Sequence, residues 1–179
     1  MTESKGELDR SKAPKLVRYK DKMIKPSLMK VLHKICHHLN TDEVIWAVTG
    51  SLGLALQGMD VEIHDIDIQT DKSGAYEIER LFPRYVVRNI EFLSSDEIRS
   101  YFGELNIDGE KVEIMGNIQK RLPDGSWEDP INVVDKRLFI DYNGLPVPVI
   151  SLEHEREAYR ILGRIETAEQ IRRYLAQHV

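Results

Sequence analysis

The run His64-Asp65-Ile66-Asp67-Ile68-Gln69-Thr70 constrains this chain more than any other. Read as a strand, it places Asp65 and Asp67 on one face and Ile66 and Ile68 on the other. The isoleucines require a core on their side. The aspartates stand about 6.6 Å apart at a rise of about 3.3 Å per residue, and like charges so placed repel unless a cation relieves them. Hard divalent ions such as Mg²⁺ are held by carboxylate oxygens together with substrate phosphates. The alternatives are a solvated acidic face and a cation site. Asp is depleted in strands, which weighs against a chance pair.

The residues upstream decide how much that pair means. The apolar run Val44 to Val48 reads as a buried strand, followed at once by Gly50-Ser51 and a short helical pattern over Ser51 to Gln57. Backbone N–H groups at a helix start attract phosphate, and glycine lets a phosphate approach closely. Taken alone, Ser51 reads better as an ordinary helix cap. Its position directly after a strand, a short helix and loop ahead of the aspartates, is what gives a phosphate reading its weight.

A third acid comes from Lys111-Val112-Glu113-Ile114-Met115. Two alternating runs flank Asp108-Gly109, a strong hairpin signal. A two-residue turn there pairs Ile107 with Glu110, Asn106 with Lys111, Leu105 with Val112 and Glu104 with Glu113. Leu105 and Val112 then share the core face. Glu113 is left on the opposite face, across from Glu104, where like charges are unfavourable without a cation. Glu113 is the third ligand of choice and Glu104 a lesser candidate.

The remaining segments frame these strands. Residues 1–22 are polar and charge-rich and read as a flexible arm; residues 23–179 read as one domain, with 151–179 a helical tail. Pro26 to Leu39 carries a helical apolar stripe. His33 and His37 share a face of it, but no further ligands complete a zinc site. Ser73 is placed to cap a helix ending near Phe82, Val86 to Phe92 reads as a strand, and Asp96 to Ser100 as a helical turn. A second hairpin is expected around Asn143-Gly144, with Pro146 and Pro148 placing its second strand at a sheet edge. Ser151 caps a helix to about Leu162, and a last helix runs from about Glu166 to Gln177. Lys120, Arg121, Lys136 and Arg137 are candidates to meet a triphosphate, and Trp127 or Tyr142 to stack on a base. The order is α+β, or mixed α/β, with a sheet flanked by helices.

The chain has 179 residues, a net charge of −5 and one cysteine. That balance does not suit a protein that coats nucleic acid, and one cysteine allows no intrachain disulfide. Met1 to Glu7 lacks the apolar core of a signal peptide, and no run reaches the roughly 20 apolar residues of a membrane span. A cytoplasmic protein is expected.

Thr49-Gly50-Ser51, then His64-Asp65-Ile66-Asp67-Ile68-Gln69-Thr70, then Val112-Glu113-Ile114, resembles the nucleotidyltransferase (polymerase-beta-like) superfamily. Within it the chain is similar to small bacterial members grouped with antibiotic adenylyltransferases and abortive-infection toxins. The resemblance runs from about residue 24 to the C-terminus and includes Leu162-Gly163-Arg164 ahead of the last helix. It implies a mixed sheet in which Gly50 and Ser51 hold the nucleotide phosphates. Asp65, Asp67 and Glu113 then bind two Mg²⁺ ions, with Mn²⁺ an alternative. The implied reaction moves a nucleoside monophosphate from an NTP, ATP foremost, to an acceptor hydroxyl and releases pyrophosphate. The acceptor, whether small molecule, RNA or protein, is open, as is a homodimer or an antitoxin partner. His64 departs from the family pattern, where a small residue often precedes the first aspartate; it could contact a phosphate or simply face away from the acids. The rival readings are a catalytically silent binding module of the same fold and a glycosyltransferase that holds a nucleotide sugar at Asp65 and Asp67.

Overall fold

Two Asx-Gly turns close the hairpins at residues 108–109 and 143–144. Asp108 and Gly109 have φ of 53° and 90°, and Asn143 and Gly144 have 52° and 84°. Positive φ at both central residues is what a type I′ turn needs, and its twist matches that of the strands it joins. The computed structural model describes residues 17–18, 24–41 and 44–178.

Among the described residues, eight strands form one mixed sheet. They are β1 (Val17–Arg18), β2 (Trp46–Thr49), β3 (Ile66–Thr70), β4 (Val86–Ser94), β5 (Ile98–Ile107), β6 (Glu110–Lys120), β7 (Arg137–Tyr142) and β8 (Leu145–Ile150). Their order across the sheet is β1-β7-β8-β2-β3-β6-β5-β4. The β5–β6 register pairs Ile107 with Glu110, Asn106 with Lys111, Leu105 with Val112 and Glu104 with Glu113, as the turn chemistry predicts. The helices are α1 (Pro26–Thr41), α2 (Gly50–Leu56), α3 (Lys72–Leu81), α4 (Val133–Lys136), α5 (Leu152–Ile161) and α6 (Ile165–His178). The class is the mixed α+β sheet flanked by helices that the sequence predicts.

The core lies on the isoleucine face of β3. Leu32, Ile35 and Leu39 of α1 and Ile78 of α3 meet Ile66, Ile68, Val112 and Ile114 there, and all are essentially inaccessible. At about 25 cal/mol per Å² of apolar surface, each such side chain contributes roughly 1.5–3 kcal/mol. A smaller cluster joins α2, α5 and α6 through Leu54, Met59, Leu152 and Ile171.

Four local expectations are corrected. Residues 96–100 hold no helical turn: a bend covers Asp96 and Glu97, and β5 starts at Ile98. α3 is capped by Asp71, whose carboxylate accepts from the Gly74 N–H at 2.6 Å; Ser73 donates to the same carboxylate. Ahead of β3, residues 61–65 are not strand, so β3 begins at Ile66 and His64 precedes it. β8 is an interior strand between β7 and β2, not an edge. Counting from the two-residue turn, Pro146 and Pro148 fall at pairs that exchange no hydrogen bonds with β7. Their missing N–H groups therefore face β2, where the ladder has one registered pair, Val48 with Val149. The expected arm over residues 1–22 lies outside the described residues except for Val17 and Arg18, which pair with Ile140 and Asp141.

Candidate active site

A transverse row of polar side chains crosses the sheet on the face away from the core. Thr49 of β2 pairs with Asp67 of β3, Asp67 with Glu113 of β6, and Glu113 with Glu104 of β5. Residues opposite one another in a ladder point to the same side. Core-facing Ile66 and Ile68 thus hold Asp67 outward, and Val112 and Ile114 do the same for Glu113. Asp65, at the bend before β3, joins them. Carboxylate oxygens of Asp65, Asp67 and Glu113 all lie within 4.8 Å of one another, and the three residues are half-buried.

Three acids this close have electrostatic consequences. Burial, then the charges of Asp65 and Glu113, push the Asp67 carboxyl up to about 7. Lys111 answers part of the charge. Its Nζ lies 3.0 Å from Asp65 Oδ2 and 2.6 Å from Glu113 Oε1, and both contacts raise the lysine's proton affinity. A cation already bridges two of the three carboxylates. The oxygen donors, their spacing and this ammonium in their midst fit a divalent-metal cradle.

Gly50 closes the site from the side of α2. It adopts φ +64°, and a Cβ there would collide with the Asp67 carboxylate. Glycine is required by both the backbone and the space. Its N–H donates to Glu155 Oε1 at 3.1 Å, and the Thr49 hydroxyl donates to the same oxygen. Thr49 Oγ1 in turn accepts from Gln69 Nε2 at 3.0 Å. Burial pushes the Glu155 carboxyl up to about 7, against the hydrogen bonds from Thr49 and Gly50.

From these groups a cleft of about 320 Å³ runs under α5, with Phe102 and Met115 on the sheet side and Glu155 and Tyr159 on the helix side. Of the four basic candidates only Lys120 lines it, and that lysine is buried and ion-paired with Glu128. Arg121 lies against Trp127, Arg137 donates to the Trp46 carbonyl at 2.9 Å, and Lys136 is exposed elsewhere. Trp127 packs between Arg99 and Arg121, and Tyr142 against the main core; neither lines the cleft. His64 is exposed, and neither it nor Glu104 belongs to the carboxylate cluster.

The structure thus brings together Asp65, Asp67, Glu113 and Gly50, with Ser51 next in α2. Sequence reasoning missed the roles of Thr49, Gln69, Lys111 and Glu155. Lys111 carried a signal: two residues from Glu113 on one strand, it shares that residue's face. Glu155 carried none, since a glutamate in a first helical turn is usually a solvated partner of the helix dipole.

Comparison with known proteins gives this geometry a context. Residues 31–177 match the aminoglycoside-2''-adenylyltransferase family. A proposed nucleotidyltransferase from Thermotoga maritima, known from its crystal structure, is 54% identical, with a TM-score of 0.76, over 87% of this chain and 96% of that one. The lincomycin-bound lincosamide antibiotic adenylyltransferase LnuA is 21% identical, with a TM-score of 0.51, over 79% and 96%. The antibiotic-resistance factor ANT(2'')-Ia is 16% identical, with a TM-score of 0.52, over 87% and 97%. The last two likenesses concern the fold. No curated protein sequence matches the chain.

Proposed function

Because the chain belongs to the aminoglycoside-2''-adenylyltransferase family, and is therefore an enzyme of the nucleotidyltransferase class, we propose that it moves a nucleoside monophosphate from an NTP, ATP foremost, to an acceptor hydroxyl and releases pyrophosphate. Asp65, Asp67 and Glu113 hold two Mg²⁺ ions in this reading. Gly50 and Ser51 receive the phosphates at the start of α2, and the acceptor enters the cleft under α5. The observation that carries it is the meeting of three carboxylates from two strands and a bend against a glycine that only a missing Cβ allows.

Mg²⁺ bound there would acidify the attacking hydroxyl and stabilise the leaving oxygens. The chain's own residues do the rest. Gly50 leaves room for a phosphate beside Asp67. Asp65, Asp67 and Glu113 would supply the carboxylate oxygens that hold the ions. Glu113 would also serve as the general base for the acceptor hydroxyl in this reading, beside its metal role. Lys111, which contacts Asp65 and Glu113, would compete with a bound ion for the same oxygens. The family match favours nucleotidyl transfer over the glycosyltransferase reading.

Calorimetry with Mg²⁺ and each of the four NTPs tests this. The wild-type protein binds at least one NTP only with metal, and Asp65→Asn loses that binding while its circular dichroism is unchanged. Wild-type protein that ignores every NTP refutes the proposal. Incubation with α-labelled NTP and cell extract then shows the acceptor as the species that gains label.

A further inference from the structure

We propose that Glu155 is a positioning residue for nucleotide binding: from α5 it clamps the Thr49–Gly50 turn onto the strand that carries Asp67. This rests on the reading that the turn receives the nucleotide phosphates. Glu155 is 105 residues from Gly50 in sequence, yet one oxygen, Oε1, accepts both the Gly50 N–H at 3.1 Å and the Thr49 hydroxyl. Thr49 is held on its other side by Gln69, two residues beyond Asp67 on β3. One chain of hydrogen bonds therefore ties α5, the turn and the acid-bearing strand together.

The cost of Glu155 argues for a role beyond packing. It is 3% exposed, and no lysine or arginine of the described residues forms an ion pair with it. A buried carboxylate in no ion pair is expensive even with the buried Lys120 ammonium acting on it from a distance, and an apolar side chain of similar size would pack the same space more cheaply. What an apolar side chain cannot do is accept the Gly50 N–H. That amide heads a short helix whose N-cap, Thr49, makes no side-chain cap bond. Without Glu155, Gly50 has no acceptor fixing its left-handed backbone against Asp67. With Glu155, the Gly50 N–H is already used. Gly50 then serves nucleotide by shape, and donation to phosphate falls to the groups after it.

The same contact explains why α5 forms one wall of the cleft. Ser151 caps α5 by accepting from the His154 N–H at 3.4 Å, which brings Glu155 inward one residue later. The helix that borders the acceptor space is thereby anchored to the turn that receives the donor.

The test uses the full chain in four forms, Glu155→Ala, Glu155→Gln, Thr49→Val and Asp67→Asn, beside the wild type. Three quantities are read: the Kd of Mn²⁺ alone, the Kd of each NTP with Mg²⁺, and amide exchange at Gly50. Losing a hydrogen bond to a charged acceptor corresponds to a factor of about ten to a hundred. Glu155→Ala is expected to weaken NTP binding by that factor and to expose the Gly50 amide to exchange. Its affinity for Mn²⁺ alone falls far less than its NTP affinity, or rises slightly, because Glu155 adds no ligand to the three acids and its charge only opposes ionisation of Asp67. Glu155→Gln, which keeps an oxygen for the Gly50 N–H, restores most of the NTP affinity. If Glu155→Ala does not fold, Thr49→Val, which removes the hydroxyl at nearly constant volume, decides with an expected loss of about fivefold.

NTP affinity equal to wild type in folded Glu155→Ala or Thr49→Val overturns the proposal. So does a parallel loss of Mn²⁺ and NTP affinity, which marks a merely structural residue. Asp67→Asn separates the two readings: if it loses NTP while Glu155→Ala keeps it, the site stands and the clamp falls. Wild-type protein that binds no NTP takes both down.

Discussion

Asp67→Asn should make the metal-free protein more stable while disabling it. The Asp67 carboxyl is lifted from an ordinary 3.8 to about 7, first by burial and then by the charges of Asp65 and Glu113. Each tenfold change in proton affinity is worth about 1.36 kcal/mol, so ionising Asp67 in the fold costs up to about 4 kcal/mol relative to the unfolded chain. The folded state holds this proton more tightly than the unfolded state. The penalty is therefore absent below about pH 4, grows as pH rises, and is complete above about pH 7. Asparagine has no charge to desolvate. With relaxation and residual solvent discounting the ceiling, the variant gains about 1–3 kcal/mol at pH 8 in EDTA, or roughly 3–10 °C in Tm for a domain of this size. Scanning calorimetry at pH 8 and at pH 4.5 measures it, and the gain shrinks at the lower pH. Saturating Mg²⁺ at a hundred times its Kd adds about 2.7 kcal/mol to the wild type and nothing to the variant. A metal-free Asp67→Asn protein no more stable than wild type at pH 8 would refute the claim that the acids meet without enough compensating charge.

Three further outcomes follow from named contacts. Gly50→Ala places a Cβ against the Asp67 carboxylate at φ +64°, costs about 1–2 kcal/mol in backbone strain, and lowers Mn²⁺ affinity at least about tenfold by displacing that carboxylate; calorimetric Mn²⁺ titration at wild-type affinity contradicts it. Lys111→Met removes the ammonium that competes for Asp65 and Glu113. Because this lysine is substantially exposed, the gain in Mn²⁺ affinity is modest, about two- to fivefold, and weaker Mn²⁺ binding would show that the lysine assists the metal. Glu128→Ala strands the buried Lys120 ammonium and lowers urea-unfolding stability by about 3 kcal/mol; a change under about 1 kcal/mol would mean that the lysine finds another partner.

The parts of this molecule that local chemistry dictates were legible in the sequence. Asp108-Gly109 admits one tight turn, and the alternation of Leu105 and Val112 then admits one register, so Glu104 and Glu113 could be paired on paper. The period of two placed Ile66 and Ile68 inward and left Asp67 outward. What escaped depends on neighbours far along the chain. Pro146 and Pro148 suit an edge strand until it is known that β2 meets β8 at one residue. Residues 96–100 look helical in isolation, but β6 runs long enough for Ile98 to pair with Lys120. Glu155 reads as a solvated helix-start acid; only tertiary packing turns it toward Gly50.

The row from Thr49 through Asp67 to Glu113 runs along the hydrogen-bond direction of the sheet, not along a strand. The gap between Asp67 and Glu113 is thus the distance between adjacent backbones, about 4.8 Å in any sheet. It works as a ruler cut by peptide geometry. Lengthening the tips of the connections between residues 71 and 109, or reshaping the wall they build, leaves that measure untouched. A one-residue insertion inside β3 or β6 would instead turn every isoleucine outward and every acid inward. What the cleft admits can therefore change through its surroundings while the carboxylate spacing stays as it is.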